Sequence, residues 1–180
     1  MRKEIRISGF GGQGVILSGI ILTQALGLYE NKKVAQTQSY GPESRGGSCK
    51  SEIVFSDNDI DYMKVDNPDY FLAFNEISYK KYIPTLSKDC YILIDQTFIS
   101  EVNSEFKNAH KIYATKIAET KLRGIVANLV MLGAFAKTSN VVSFEALQKA
   151  VQDIVPTAFC KMNLDALEIG YKEVDKNEVL

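Results

Sequence analysis

The sequence predicts a three-layer α/β/α domain built on a mostly parallel or mixed sheet. Short continuous apolar runs at 70–74 and 91–94 have the length and character of central strands covered on both faces, and helical apolar patterns lie between and after them. The chain also opens on a strand-like stretch at 4–8, a glycine loop at 9–14 and an apolar run through 28, the order of a strand feeding a helix.

Taken in order, the first strand and helix are followed by a second strand expected over 33–37 and a polar, glycine-rich loop over 38–47. Residues 51–56 alternate polar and apolar side chains and end at the turn signal Asp57-Asn58-Asp59, so they read as a half-exposed, antiparallel strand in a mixed sheet. A short helix is expected over 76–86, with Pro84 near its end, and a further strand over 111–114. From Lys116 the pattern is helical. Residues 125–137 are apolar on most faces and so belong to a buried helix, Ser143 opens another that stops near Pro156, and 158–174 form the last. At 180 residues, with no repeat, low-complexity tract or linker, the chain is expected to be a single domain, 1–180.

Lys plus Arg number 21 against 22 Asp plus Glu, so no net field attracts nucleic acid or an anionic membrane. No apolar stretch is long enough to span a bilayer and no leader pattern precedes the first strand, which points to a cytoplasmic protein. Cys49, Cys90 and Cys160 are far apart and His110 is the one histidine, so the ligand spacing of an iron–sulfur or zinc site is missing. The cysteines read as reduced structural residues. His110, in a polar stretch, reads as a surface histidine without a nucleophile to serve.

Gly9-Phe10-Gly11-Gly12-Gln13-Gly14 has the G-x-G-x-x-G spacing of a Rossmann-like dinucleotide loop, in which backbone N–H groups at a helix start receive an anion. A dinucleotide site needs an acid at the end of the second strand for the ribose hydroxyls, and that place holds Gln36-Thr37-Gln38. Glu30 has the right count but precedes the strand. A phosphate-binding lysine loop is excluded too, because Val15-Ile16 follow Gly14. The glycines therefore serve tight packing, anion binding or both, with Gly12 leaving extra backbone open to a ligand or another chain.

The second segment, Ser39-Tyr40-Gly41-Pro42-Glu43-Ser44-Arg45-Gly46-Gly47-Ser48, is expected at the same carboxyl edge of the sheet as the first loop. Arg45 beside Gly46 and Gly47 sets a planar cation next to flexible N–H donors, suited to a phosphate, a carboxylate or a partner subunit. Asn75 and Asp95, each just after an apolar strand, fall on that edge as well.

Gly9 to Val15 together with Gln38 to Gly47 closely resemble the gamma subunit of 2-oxoacid:ferredoxin oxidoreductases. The resemblance continues through 51–56, Ile60-Asp61-Tyr62, Pro68-Asp69, Asn75, Asn128 and Leu132-Gly133-Ala134, and the wording Tyr40-Gly41-Pro42-Glu43 is similar to the 2-oxoglutarate and branched-chain types. Met63 departs from the family, whose members often have proline after the tyrosine.

The resemblance implies a non-catalytic subunit of a complex that converts a 2-oxoacid, 2-oxoglutarate first, and coenzyme A to acyl-CoA and carbon dioxide, with ferredoxin or flavodoxin as electron acceptor. Alpha and beta subunits, with a delta subunit as an option, are the implied partners; thiamine diphosphate, Mg2+ and [4Fe-4S] clusters are implied on those chains and none on this one. The residues implied to contact coenzyme A or its region are Gly9, Gly11, Gly12, Gln13, Gly14, Ser39, Tyr40, Arg45, Gly46, Gly47, Asn75 and Asn128. The alternatives are a stand-alone dinucleotide-binding oxidoreductase, and a gamma-type subunit for branched-chain 2-oxoacids, pyruvate or indolepyruvate. On the first reading, Arg45→Ala leaves the isolated fold nearly intact and weakens complex formation or raises the coenzyme A KM; no change in either measurement removes Arg45 from the site.

Overall fold

The computed structural model describes residues 1–40 and 48–174. Six strands form one mixed sheet: β1 (Lys3–Phe10), β2 (Lys33–Tyr40), β3 (Ser48–Ser56), β4 (Tyr70–Ala73), β5 (Tyr91–Asp95) and β6 (Ala109–Ile112), in the spatial order β2-β3-β1-β4-β5-β6. β3 runs antiparallel between β2 and β1, while β1, β4, β5 and β6 are parallel. The antiparallel strand expected from its alternation is thus present, inserted beside the central strand, but residues 51–56 are buried throughout and not half-exposed, because β3 has a strand on each side and its Glu52 meets Arg6 and Lys50.

Among the described residues six α-helices accompany the sheet: α1 (Val15–Gln24), α2 (Glu76–Tyr82), α3 (Ala114–Lys121), α4 (Ala127–Ser139), α5 (Phe144–Ile154) and α6 (Thr157–Glu173). The boundaries differ from the sequence reading where local polarity misleads. β2 extends to Tyr40, because Gln38, Ser39 and Tyr40 pair with Ser51, Lys50 and Cys49 although their side chains are exposed on an edge strand. The run after α1 tightens into a π turn at Ala25–Tyr29, and a 3-10 turn at Gly124–Val126 precedes α4. β6 lies at 109–112, two residues earlier than expected, which moves His110 into a strand, where its ring stacks on Tyr91 at 4.9 Å.

The two faces of the sheet are covered unequally. On one, Ile5, Ile7, Ile53, Leu72 and Leu93 pack with α1, α3, α4, α5 and α6 in the main core. On the other, Phe71, Ala73, Ile92 and Ile94 form a smaller core with Tyr79 of α2 and with Leu86, Cys90, Ile99 and Phe106. Over β1 and β3 that second face is polar. The Arg6 guanidinium pairs with Glu52 at 2.7 Å, with both side chains under 10% exposed, donates to the Val65 carbonyl at 3.0 Å and lies 4.9 Å from the Tyr82 ring. Glu52 also receives Lys50, and Glu4 accepts the Asp66 and Asn67 N–H groups, so the irregular strap after β3 is held to the sheet by satisfied charges.

α4 is buried from Asn128 to Ala136 because the sheet covers one side and α6 the other. The two helices cross where neither has a side chain: a Cβ on Gly133 would lie 2.0 Å from the Leu167 carbonyl oxygen, and one on Gly170 would lie 2.0 Å from that of Val130. Backbone meets backbone there. Gly133→Ala must therefore drive the helices apart, and urea denaturation should show a loss of roughly 3 kcal/mol; an unchanged midpoint would contradict the close crossing.

Candidate functional site

The carboxyl ends of β1, β4, β5 and β6 share one edge of the sheet, and strand register brings β2 to the same edge, since Tyr40 and Gly9 both lie opposite Cys49. Ser39, Tyr40 and Ser48 therefore stand beside the first glycine loop, as the sequence predicts. Arg45, Gly46 and Gly47 lie outside the described residues. Tyr40 is 65% exposed.

The glycine loop is shaped by internal contacts. Gly12 and Gly14 have φ of +94° and +75°, a region L side chains rarely adopt, and Gly14 is the N-cap of α1 with no side-chain hydrogen bond. Gly9 sits where a side chain would strike Val15 and Phe74, and the space above Gly14 is filled by Asn128. Around Gly12 there is open space. Of the loop's glycines, Gly9 and Gly14 act through clearance, and Gly12 presents bare backbone outward.

Gln13 and Asn75 turn inward. The Gln13 Oε1 accepts the Phe10 N–H at 2.7 Å and the Asn75 Nδ2–H at 2.8 Å, while its Nε2 donates to the Phe74 carbonyl at 3.2 Å. Asn75 Oδ1 accepts the Ser78 N–H at 2.8 Å and so caps α2. These amides knit the end of β1 to the end of β4. Asp95 is organised in the same way: its carboxylate accepts the Thr97 N–H, the Thr115 N–H and the Thr115 hydroxyl, fastening the turn after β5 to the start of α3.

Two clefts open along this edge. One, of about 290 Å³, is lined by Gly12, Gln13, Phe74, Asp95, Thr115 and Asn128, among others. The second, of about 340 Å³, lies between the starts of α1, α4 and α6 and is mostly apolar. Gly12, Ile125 and Asn128 border both. The sequence reading missed Arg123, Phe159 and Asn163 in the second cleft, which are distant in the chain from the glycine motifs; no local signal marked them, since Ile125 reads as the start of a buried helix and only the structure exposes it at a turn.

Among the described residues no group of three or more His, Cys, Asp or Glu side chains could hold a metal ion. Burial pushes the Cys90 thiol up to about 12 and also raises that of Cys49, so neither is an activated nucleophile. Glu30, the acid nearest in count to a ribose-binding position, accepts the Ser143 N–H at the start of α5. No helix of the described residues is long and apolar enough to cross a membrane.

Fold and edge together define a mixed α/β protein whose glycine loop and two clefts share the carboxyl edge of the sheet. The chain belongs to the pyruvate ferredoxin/flavodoxin oxidoreductase family, whose pattern matches residues 4–173. It is 46% identical over 175 residues to the 2-oxoglutarate synthase subunit KorC of Methanocaldococcus jannaschii, covering 96% of this chain and 94% of that one. Among solved structures it is similar to the gamma subunit of a keto/oxoacid ferredoxin oxidoreductase from Geobacter sulfurreducens, with a TM-score of 0.88, 37% identity and 98% of each chain covered. The pyruvate oxidoreductase subunit PORC of Thermotoga maritima superposes with a TM-score of 0.78 at 27% identity, over 95% of this chain and 96% of that one.

The Gln13 network yields a test. Gln13→Leu leaves the Phe10 N–H, the Phe74 carbonyl and the Asn75 amide without their partner, and should lower stability by about 2–3 kcal/mol in urea denaturation; a change below about 0.5 kcal/mol would mean that the network is not what holds the loop.

Proposed function

We propose that this chain is the gamma subunit of a multi-subunit oxidoreductase that converts 2-oxoglutarate and coenzyme A to succinyl-CoA and carbon dioxide, passing the electrons to ferredoxin or flavodoxin. The observation that carries the substrate is the contrast in likeness: 46% identity to a 2-oxoglutarate synthase subunit against 27% to a pyruvate oxidoreductase subunit, each over nearly the whole chain.

On this reading the chain is a single domain acting in the cytoplasm, and the chemistry is done on its partners. Thiamine diphosphate with Mg2+ supplies the decarboxylation chemistry, and [4Fe-4S] clusters carry the electrons, on alpha, beta and, where present, delta subunits. The described residues of this chain fit a supporting part: an edge with open backbone at Gly12, a loop made rigid by Gln13 and Asn75, and two clefts that meet at Asn128. Gly11, Gly12, Ser39, Tyr40, Arg45, Gly46, Gly47 and Asn128 are the residues proposed to face coenzyme A or the neighbouring chain; Gly9, Gln13, Gly14 and Asn75 shape the edge for them.

Co-expression with the thiamine-binding and ferredoxin-like chains of the same genome should give one co-purifying complex that reduces ferredoxin in the presence of 2-oxoglutarate and coenzyme A. Pyruvate should be used at least about tenfold less well, measured as kcat/KM. Recovery of the chain as a free monomer beside an active complex that lacks it would sink the reading, and preference for pyruvate or a branched-chain 2-oxoacid would replace the substrate.

A further inference from the structure

β2 is an edge strand that nothing blunts. It runs for eight residues and pairs with β3 without a bulge, from Lys33 opposite Ser56 to Tyr40 opposite Cys49, while no strand of the described residues pairs with its outer side. The free N–H and C=O groups of such an edge are a template for another strand, and proteins ordinarily guard them with a proline, a charge, a bulge or a very short strand. β6, at the opposite edge, follows that rule: it is four residues long and carries Lys111. Between Val34 and Tyr40 β2 has no charge and no proline, and the one charge at its start, Lys33, is turned to Asp59.

A second observation lies above the same edge. On α1, Gly19 faces Gln36 and Ser51 of the sheet, while Leu17 and Gln24 turn toward α6 and α5. Helical spacing therefore puts Ile16 and Ile20 on the side that overhangs β2, and Ile20 is 40% exposed. Leu28, 66% exposed, follows Gly27, which packs on Val34 of β2. With the exposed Tyr40 ring, these side chains form an apolar margin along a strand whose backbone is open.

We propose that two copies of this chain join through β2, antiparallel about a two-fold axis, so that their sheets continue into one. An axis normal to the sheet keeps each face on its own side, so residues meet only partners of the same face. With the axis at Thr37, Val34 faces the second copy's Tyr40, Ala35 its Ser39, Gln36 its Gln38, and Thr37 its own counterpart. The pairs suit one another: an aromatic ring on a β-branched side chain, carboxamide on carboxamide, hydroxyl on hydroxyl, and two small side chains. No like charges meet, and Lys33 falls beyond the paired stretch. Moving the axis to Gln36 loses the Val34–Tyr40 pair and brings Lys33 in against Ser39. In the Thr37 register Tyr40 reaches the neighbourhood of Gly27 and Leu28, and the two Ile20 side chains approach each other across the axis. The fit is that of the strand to itself, which is why the occupant is a second copy and not a strand of another chain. The inference goes beyond the gamma-subunit reading and is independent of the substrate; for Ser39 and Tyr40 it makes the neighbouring chain another copy of this one.

Sedimentation of the full chain over a concentration series should show a dimer. Thr37→Lys sets two ammonium groups face to face and should raise the dissociation constant about fivefold or more. Ile20→Ser should weaken the dimer too, and Ile77→Ser on α2, away from the edge, should match the parent. Oxidation reads the register. Thr37→Cys should form a disulfide between copies, whereas Ala35→Cys and Ser39→Cys should do so only when the two variants are mixed, since each lies about 13 Å from its own counterpart. Thr37→Cys is close in size to the parent residue and serves as the test if Thr37→Lys fails to fold. A chain that is monomeric at every concentration, and that Thr37→Cys does not cross-link in the co-purified complex either, overturns the proposal. So does a dimer that Thr37→Lys leaves intact and Thr37→Cys does not cross-link. If the parent is monomeric and Thr37→Lys blocks co-purification with the other chains, the edge receives another subunit's strand and the proposal is again overturned.

Discussion

The carboxamide of Gln13 is the joint on which the functional edge depends. β1 and β4 are parallel neighbours whose chains must part at their carboxyl ends, one into the glycine loop and the other into α2. One side chain bonds both, accepting from Phe10 and donating to Phe74, and it passes the constraint through Asn75 to the first turn of α2. With that joint closed, Gly12 has a fixed outward backbone and Gly14 a fixed seat against Asn128. The joint contains no titratable group, so its geometry does not follow pH.

The sheet's uneven cover serves the same end. α1 and α4 lie against one face, with α3, α5 and α6 packed on them in the same core, and the starts of α1, α4 and α6 stand at the carboxyl edge. The opposite face over β1 and β3 is closed by paired charges, Arg6 with Glu52 and Glu4 with two backbone N–H groups, and this arrangement tolerates an irregular strap in place of a helix. Removing Glu52 would leave the buried Arg6 without a carboxylate, which costs more than the pair contributes.

Legibility in the sequence followed the range of the interactions. The glycine loop, Asn75 and Asp95 could be placed on the edge because each follows an apolar strand within a few residues. The antiparallel insertion of β3 was foreshadowed by the alternation at 51–56. The role of Gln13 as a brace was not legible, since its partners Phe74 and Asn75 lie about sixty residues away. Nor was the polar layer: alternation of Glu4, Arg6 and Ser8 between Ile5 and Ile7 looks the same whether its polar side meets water or a charged partner.

The sequence by itself determined the α/β class, most elements and the family, because apolar periodicity and the two glycine segments are local patterns carried by neighbouring residues. Tertiary structure alone decided which groups meet. Arg123, Asn128, Phe159 and Asn163 reach one cleft because Gly133 and Gly170 let α4 and α6 cross at backbone contact, a closeness set by two missing side chains rather than by the residues that line the cleft.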